Sequence, residues 1–224
     1  MLSFDVVEAE NRLLELLDKC ISGKEIIIVR DERVVAKLVA FTEQKRKHRS
    51  GSSIKMIYKD YLKAARKHKI TCEVIAEKLN EEKRQKSPDS DKLKSLMLNL
   101  YYLSGYVIEC MVKYGIYNSI SYGDKDDVRD LNKRGLTYDT HIRHHPFERY
   151  TEHLLHNMPN KNIRIPLIKD ARGIPKETVN VYKEWNAEIR YSYNNFKYKE
   201  IHYMEFYKYA KEIFEIIKNN TTKG

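Results

Sequence analysis

Apolar residues recur with two different periods along this chain, and the change of period divides it. Residues 1–4 form a short apolar run. Asp5 stands where a helix N-cap is favoured, with Glu8 three positions on at the spacing of a capping box. Leu13, Leu16, Leu17 and Cys20 then recur at helical spacing, with Leu14 and Ile21 widening the stripe. Ser22-Gly23 stops that helix where glycine is favoured. Ile26, Ile27, Ile28 and Val29 are a β-branched run, residues 30–33 are polar and turn-like, and Val34, Val35, Leu38 and Val39 make a second strand. The first 41 residues therefore predict a strand, a helix and a hairpin. So short a unit has too little core to be stable alone, and its apolar stripe and strands are expected to bury against a second copy or against the rest of the chain, the second copy being preferred.

From residue 56 onward the period is helical throughout. Residues 42–55 (TEQKRKHRSGSSIK) are charged, then Gly/Ser-containing, and read as a linker. Residues 56–86 predict a long helix with Tyr58, Leu62, Ala65, Ile70, Val74 and Leu79 on its apolar face. Residues 87–90 break it, and Ser90 or Asp91 is placed to cap the next helix, 91 to about 117. That helix is the most apolar of the chain and is expected at the centre of a bundle. Gly105 in its middle costs about 1 kcal/mol against alanine, which points to the close approach of another helix. Residues 118–140 read as a polar loop. Further helices are expected over 141–158, starting near Pro146, over 176–193 and over 199–219, with an irregular proline-containing stretch at 157–175 and a short tail. The fold class is thus α+β: a small strand–helix–hairpin domain at 1–43, a basic linker at 44–55, an all-α bundle of about five helices at 56–219 and a tail at 220–224.

Composition changes this picture in two places. The net charge of +10 suits a nucleic-acid partner, yet residues 1–41 hold six Lys/Arg against eight Asp/Glu, while residues 42–55 hold five against one. If the first domain binds DNA, a few positioned side chains and the basic linker must carry the phosphate contacts. Cys20, Cys72 and Cys110 lie far apart in helical patterns, which predicts buried free thiols in a reducing cytoplasm and no zinc site. No run of eighteen apolar residues occurs and no signal peptide opens the chain, so a cytoplasmic protein without membrane partner is expected. No cofactor is implied. His141, His144, His145, Glu148, Glu152, His153 and His156 include one-turn spacings, but no His-Glu-x-x-His order, and no metal is expected.

The first 41 residues resemble the N-terminal domain of the Phd/YefM antitoxins through Glu8-Ala9, Asn11-Arg12-Leu13, Leu16-Leu17, Gly23, Ile26-Ile27-Ile28, Arg30 and the Val35-Ala36-Lys37-Leu38-Val39 ending. The resemblance covers about one-fifth of the chain. It implies a homodimer that binds operator DNA and represses its own operon. Asn11, Arg12, Lys19, Arg30, Arg33 and Lys37 are then the candidate DNA contacts, joined by Lys45, Arg46 and Lys47 of the linker. Arginine and asparagine can read base edges bidentately, and lysine meets phosphate.

A second resemblance covers 56–219. Residues 100–113 (LYYLSGYVIECMVK) look like the central helix of HEPN-domain proteins, with a Leu-x-Gly-Tyr-x-x-Glu-Cys-x-x-Lys pattern. His145-Pro146-Phe147 resembles that family's His-plus-hydrophobic helix start, and Trp185 with Arg190-Tyr191-Ser192 resembles the Trp…Arg-Tyr segment of one of its branches. HEPN families include metal-independent ribonucleases, marked by an Arg, a polar residue after it, and a His with four to six residues between the Arg and the His. Histidine can shuttle the 2′-hydroxyl proton and arginine can stabilise the charged phosphorane. Arg134/His141 and Arg149/His156 have that spacing, and the second pair is the better candidate because it lies in a helical segment. Glu109 and Lys113, i,i+4 on the apolar helix, read as a buried pair supporting the bundle, with Glu109 also able to orient His145 or Arg190 across the core. Trp185 and Arg190 read as packing and its ionic partner.

The sequence thus points to an antitoxin-like, DNA-binding repressor of a toxin–antitoxin-type system, fused to a HEPN-like helical domain. Its partners would be operator DNA, a second copy and a toxin, antitoxin or nucleotidyltransferase protein. The rival readings are a HEPN-type RNA endonuclease carrying an antitoxin-like segment, and a protein-interaction module without catalysis.

Overall fold

The computed structural model describes residues 2–38, 54–145, 147–160, 162–192 and 196–221. Lys45, Arg46 and Lys47, together with Val39 and Pro146, lie outside the described residues. Backbone contacts divide the chain into two compact units, Met1–Ile54 and Lys55–Gly224. Helix predominates, with one small three-stranded sheet in the first unit.

In the first unit, β1 (Leu2–Asp5) runs parallel to β2 (Ile26–Arg30), which pairs antiparallel with β3 (Arg33–Leu38). The hairpin turn is Asp31-Glu32, both at positive φ, the geometry that matches the twist of two-residue hairpins. The register slips between Ile28 and Val29, where Ile28 faces Ala36 but Val29 faces Val34. Between β1 and β2 the chain is helical, with one correction to the expected single helix. It bends at Arg12 into α1 (Val6–Asn11) and α2 (Leu13–Ile21). Asp5 caps α1 through Val7 N at 2.9 Å. The Glu8 carboxylate binds Arg12 (2.7 Å). Gly23 follows α2 at φ +88°, a conformation that favours glycine. Among the described residues only Ala9, Leu16, Cys20 and Ile26 are buried here, with Phe4, Ile28 and Leu38 packed on them. Leu13, Leu14 and Leu17 of the expected stripe are exposed, as are Val7, Val34 and Val35.

The second unit is built on five α-helices among the described residues. These are α3 (Lys59–Lys83), α4 (Ser90–Ser119), α5 (Phe147–Asn157), α6 (Lys176–Lys183) and α7 (Glu200–Thr221). α4 is roughly 45 Å long at 1.5 Å per residue and packs against α3 and α7. Seventeen of its residues are buried, which makes it the axis of the core. Its N-cap is Asp89, whose carboxylate accepts from Asp91 N (3.0 Å) and Lys92 N (3.1 Å), one residue before the expected Ser90 or Asp91. α3 meets α4 through Tyr61, Ala65, Cys72, Ala76 and Leu79. Ile70 and Val74, expected on that face, are 55% and 59% exposed. The buried row is simply the neighbouring stripe of the same helix, and a β-branched residue tolerates either side.

The stretch expected as a polar loop, 118–140, is part of the core. Val128, Leu131 and Leu136 are buried. Val128 starts a short 3₁₀ turn (Val128–Asp130), Leu131 follows it, and Leu136 belongs to a hairpin of two-residue strands, β4 (Asn132–Lys133) with β5 (Leu136–Thr137). Two tyrosines tie this segment down by donating to its carbonyls: the buried Tyr117 to Val128 O (2.7 Å) and the half-buried Tyr122 to Asp127 O (2.8 Å). The helix expected over 176–193 stops at Lys183 and resumes as a 3₁₀ turn, Ala187–Tyr191, capped by Asn186. No helix among the described residues is long and apolar enough to cross a membrane.

Candidate functional site

The polar side chains of the helical unit converge on one stripe of α4. Tyr102, Tyr106, Glu109 and Lys113 recur three or four residues apart, so they share a face. Glu109 and Lys113 are each 4% exposed, and Lys113 Nζ donates to Glu109 Oε1 at 2.7 Å. A buried ion pair needs further hydrogen bonds to offset its desolvation, and His145 supplies one. Its Nδ1 lies 3.0 Å from Glu109 Oε2 and 3.1 Å from Oε1. A carboxylate paired with an ammonium accepts hydrogen bonds, so Nδ1 carries the proton. Nε2 is then the basic nitrogen of the ring. The imidazole is half-exposed, and the carboxylate that orients it is out of water.

The position of His145 follows from the aromatic residues beside it. Phe147, two residues on, stacks between Tyr182 (4.9 Å, 6°) and Trp185 (4.6 Å, 16°). Trp185 in turn meets Tyr106 edge-on at 5.2 Å and donates its indole N–H to Tyr102 O at 3.2 Å. It lies directly over Gly105, where any Cβ would collide with the indole. The close approach expected at Gly105 is therefore that of an indole ring rather than of a helix backbone. Gly105 admits Trp185, Trp185 holds Phe147, and Phe147 fixes the start of α5 so that His145 reaches Glu109. The Tyr106 ring lies 6.2 Å from His145 and 5.7 Å from His68. Burial lowers the pKa of His68, and the charge of Lys67 adds to this. Burial raises the Tyr106 hydroxyl well above its ordinary value, assisted by Tyr102 and Glu109.

Arg190 does not contact Glu109. It lies over the ring of Tyr191 (4.7 Å), and its pKa is raised chiefly by Tyr191, then by Tyr102. Its expected role as an ionic partner to Trp185 gives way to contacts with tyrosines. Arg134 sits in the β4–β5 turn at φ 52°, while His141 Nδ1 bonds Thr137 (3.0 Å to its N). Its ring lies 4.9 Å from that of His153. Arg149 is on α5, with its side chain outside the described residues, and His156 is an exposed residue of the last turn of the same helix. Among the described residues no three His, Cys, Asp or Glu side chains gather as metal ligands. All three cysteines are free and buried. Burial pushes the Cys72 thiol up to about 11 and Cys110 to about 12, so neither is a nucleophile at neutral pH.

In the first unit, three of the candidate DNA contacts already hold carboxylates. Arg12 pairs with Glu8 (2.7 Å) and Glu15 (2.9 Å), Lys19 with Glu15 (2.5 Å), and Lys37 with Glu25 (2.9 Å). The Arg12 and Lys19 hydrogen bonds lower the Glu15 carboxyl to about 2. Asn11 is exposed at the end of α1. Arg30 and Arg33 face each other across the hairpin end, beside Asp31-Glu32. The sequence pointed to Glu109 as a residue able to orient either His145 or Arg190, and the structure places it on His145. What the sequence did not reveal is the part played by Tyr102, Tyr106 and Phe147, whose only mark in the sequence is their helical spacing to Glu109 and their nearness to His145.

Compared with models of known protein families, with curated proteins and with solved structures, the chain matches none.

Proposed function

We propose that this chain is a regulator of toxin–antitoxin type. Its N-terminal unit is a Phd/YefM-like module that pairs with a second copy of itself, binds operator DNA and represses transcription. Its helical unit is a HEPN-like effector. The observation that carries this reading is the apolar surface of the first unit. Val7, Leu13, Leu14, Leu17, Val34 and Val35 are exposed, Leu14 by 80%, around a core of four buried residues among those described. A unit with so small a core gains stability by covering such a surface, and a two-fold partner would cover like with like. Pairing would also present two copies of the Arg30/Arg33 hairpin end to one duplex. Since residues 1–41 hold more Asp/Glu than Lys/Arg, affinity would rest on these arginines and on the basic linker.

The test is a gel shift of the full chain on a fragment spanning its own promoter, over a salt series. Specific, salt-sensitive binding that falls in Arg30→Ala/Arg33→Ala supports the repressor. No preference over random DNA rejects it.

The Glu109–His145 pair favours a second reading, metal-independent RNA cleavage by the helical unit. His145 Nε2 would take the proton of a 2′-hydroxyl, whose oxygen then attacks the adjacent phosphorus. The 5′-oxygen leaves with a proton, and a 2′,3′-cyclic phosphate remains. This role falls to His145 rather than to Arg149/His156, because a buried carboxylate orients His145. Cleavage of RNA in the presence of a chelator, reduced about 10²–10⁴-fold by His145→Ala and absent on the deoxy substrate, is the expected result. A preparation whose cleavage survives His145→Ala but not His156→Ala would return the site to the second pair.

A further inference from the structure

We propose that the recess between α4 and the Ala187–Tyr191 turn, together with the exposed Tyr191 beside it, is a nucleotide subsite for single-stranded RNA: Arg190 holds a phosphate in the recess and Tyr191 stacks on a base outside it. The proposal is independent of the DNA-binding reading. It rests on the RNA-cleavage reading only for the choice of RNA.

The recess encloses about 130 Å³ and is lined by Ser95, Asn99, Tyr102, Ile189, Arg190 and Ser192, among others. That is the space of roughly four waters, enough for a phosphate group and too little for a nucleoside. Among the described residues one cation and no carboxylate line it. Arg12, Arg129, Arg143, Arg164 and Arg172 each pair with an acidic side chain. Among the described residues Arg190 forms no such pair and contacts the tyrosines instead. An arginine in a recess with hydroxyl and amide groups, and without a carboxylate, is suited to a phosphate.

Tyr191 supplies the second element. It is 75% exposed although Arg190 lies over its ring. An exposed aromatic beside an arginine is the arrangement on which single-stranded bases stack, because every base has a π-face. The turn that carries both residues is held by the Asn186 cap (2.9 Å to Glu188 N) and leaves Trp185, at its start, buried over Gly105. The platform is therefore anchored to the core.

Its location ties it to His145. Tyr102 lines the recess, and its ring lies 4.9 Å from that of Tyr106, which reaches His145. Tyr102 and Tyr106 are one turn apart, about 6 Å along the helix axis. The charge of Arg190 is felt at the Tyr106 hydroxyl. A strand with one phosphate at Arg190 would run its neighbouring nucleotide past His145.

Trp185 is the only tryptophan of the chain and donates to the carbonyl of Tyr102, so its fluorescence reports on the recess. The experiment titrates the full chain with a uridylate decamer, its deoxy counterpart and inorganic phosphate, with chelator present and with His145→Ala as background so that nothing is cleaved. Expected is a saturable change with the RNA decamer. Arg190→Ala and Tyr191→Ala should each weaken binding by roughly an order of magnitude, and Tyr191→Phe should retain it. Far-UV circular dichroism checks that the variants fold. Absence of saturable binding, unchanged affinity in Arg190→Ala, or equal affinity for inorganic phosphate would overturn the proposal. Equal affinity for the deoxy decamer would overturn the assignment to RNA. RNA binding by a parent chain that does not cleave would leave this subsite standing while the cleavage reading fell. Cleavage by the parent with KM unchanged in Arg190→Ala would do the reverse.

Discussion

Glu109 accepts from Lys113 and from His145, and both Glu109 and Lys113 are buried. Removing one member of a buried pair strands the other charge, which costs about 3–5 kcal/mol, whereas replacing both with apolar residues of similar volume is often neutral. Glu109→Leu is therefore expected to lower the urea midpoint sharply, and Glu109→Leu/Lys113→Met to recover most of it; on the proposed RNA-cleavage reading both would also lose cleavage. A double variant no more stable than the single one would mean that the pair does not act as a unit. The histidines set a pH dependence of the same sign as that of the lowered carboxylates, in a window nearer neutrality. Burial lowers His68 and His153, with Lys67 adding to the first and the facing His141 to the second. For groups depressed in the folded state, the stability they contribute is complete above the ordinary value of about 6.5. It is lost as pH falls through their folded values. The melting temperature should fall from pH 7 toward pH 5, and His68→Gln/His153→Gln should flatten that slope. A parent curve with no slope in this window would refute it.

At the scale of elements, α4 and the Trp185 turn are coupled through one missing methyl. A Cβ at residue 105 would meet the indole itself, not the end of a flexible chain. Gly105→Ala, normally stabilising by about 1 kcal/mol in a helix interior, should here destabilise by roughly 1–3 kcal/mol through overpacking. It should also shift Trp185 emission and release Phe147, so that His145 loses its hold on Glu109. Thermal melts followed by tryptophan fluorescence would detect both effects, and a stabilised Gly105→Ala would contradict the packing chain. The same coupling shows why the helix expected over 176–193 is shorter than its sequence suggests. The chain leaves α6 after Lys183, and Trp185, stacked on Phe147, lies at the start of the turn that follows.

For the whole molecule, the proposed pairing of the first unit with a second copy would make that unit's stability depend on association. Leu14→Asp/Val34→Asp places charge on two exposed apolar positions without touching Leu16 or Ile26 of the core. Sedimentation of the full chain should change from dimer to monomer, and promoter binding should be lost, while the melting of the helical unit stays within about 0.5 kcal/mol of the parent, as for surface substitutions. A variant that remains dimeric would show that this face is not where two copies meet.

What the sequence by itself determined is what lies within a few turns of backbone. The β-branched run at 26–29, the Gly23 stop and the apolar α4 each state their conformation through period and local hydrogen bonding, and each is found there. Packing decided what those rules leave degenerate. Ile70 and Val74 fit the helix as well as Cys72 and Ala76 do, and only the path of α4 chose between the two stripes. The loop at 118–140 reads as polar because its few apolar residues have no period, yet tyrosine hydroxyls from α4 and its end fold Val128 and Leu131 inward. His145 meets Glu109 across 36 residues, and Trp185 meets Tyr102 across 83. No local propensity encodes such separations, because they depend on where the helices cross. The candidate chemistry of this chain is therefore written in its residues but assembled only by the close approach at Gly105.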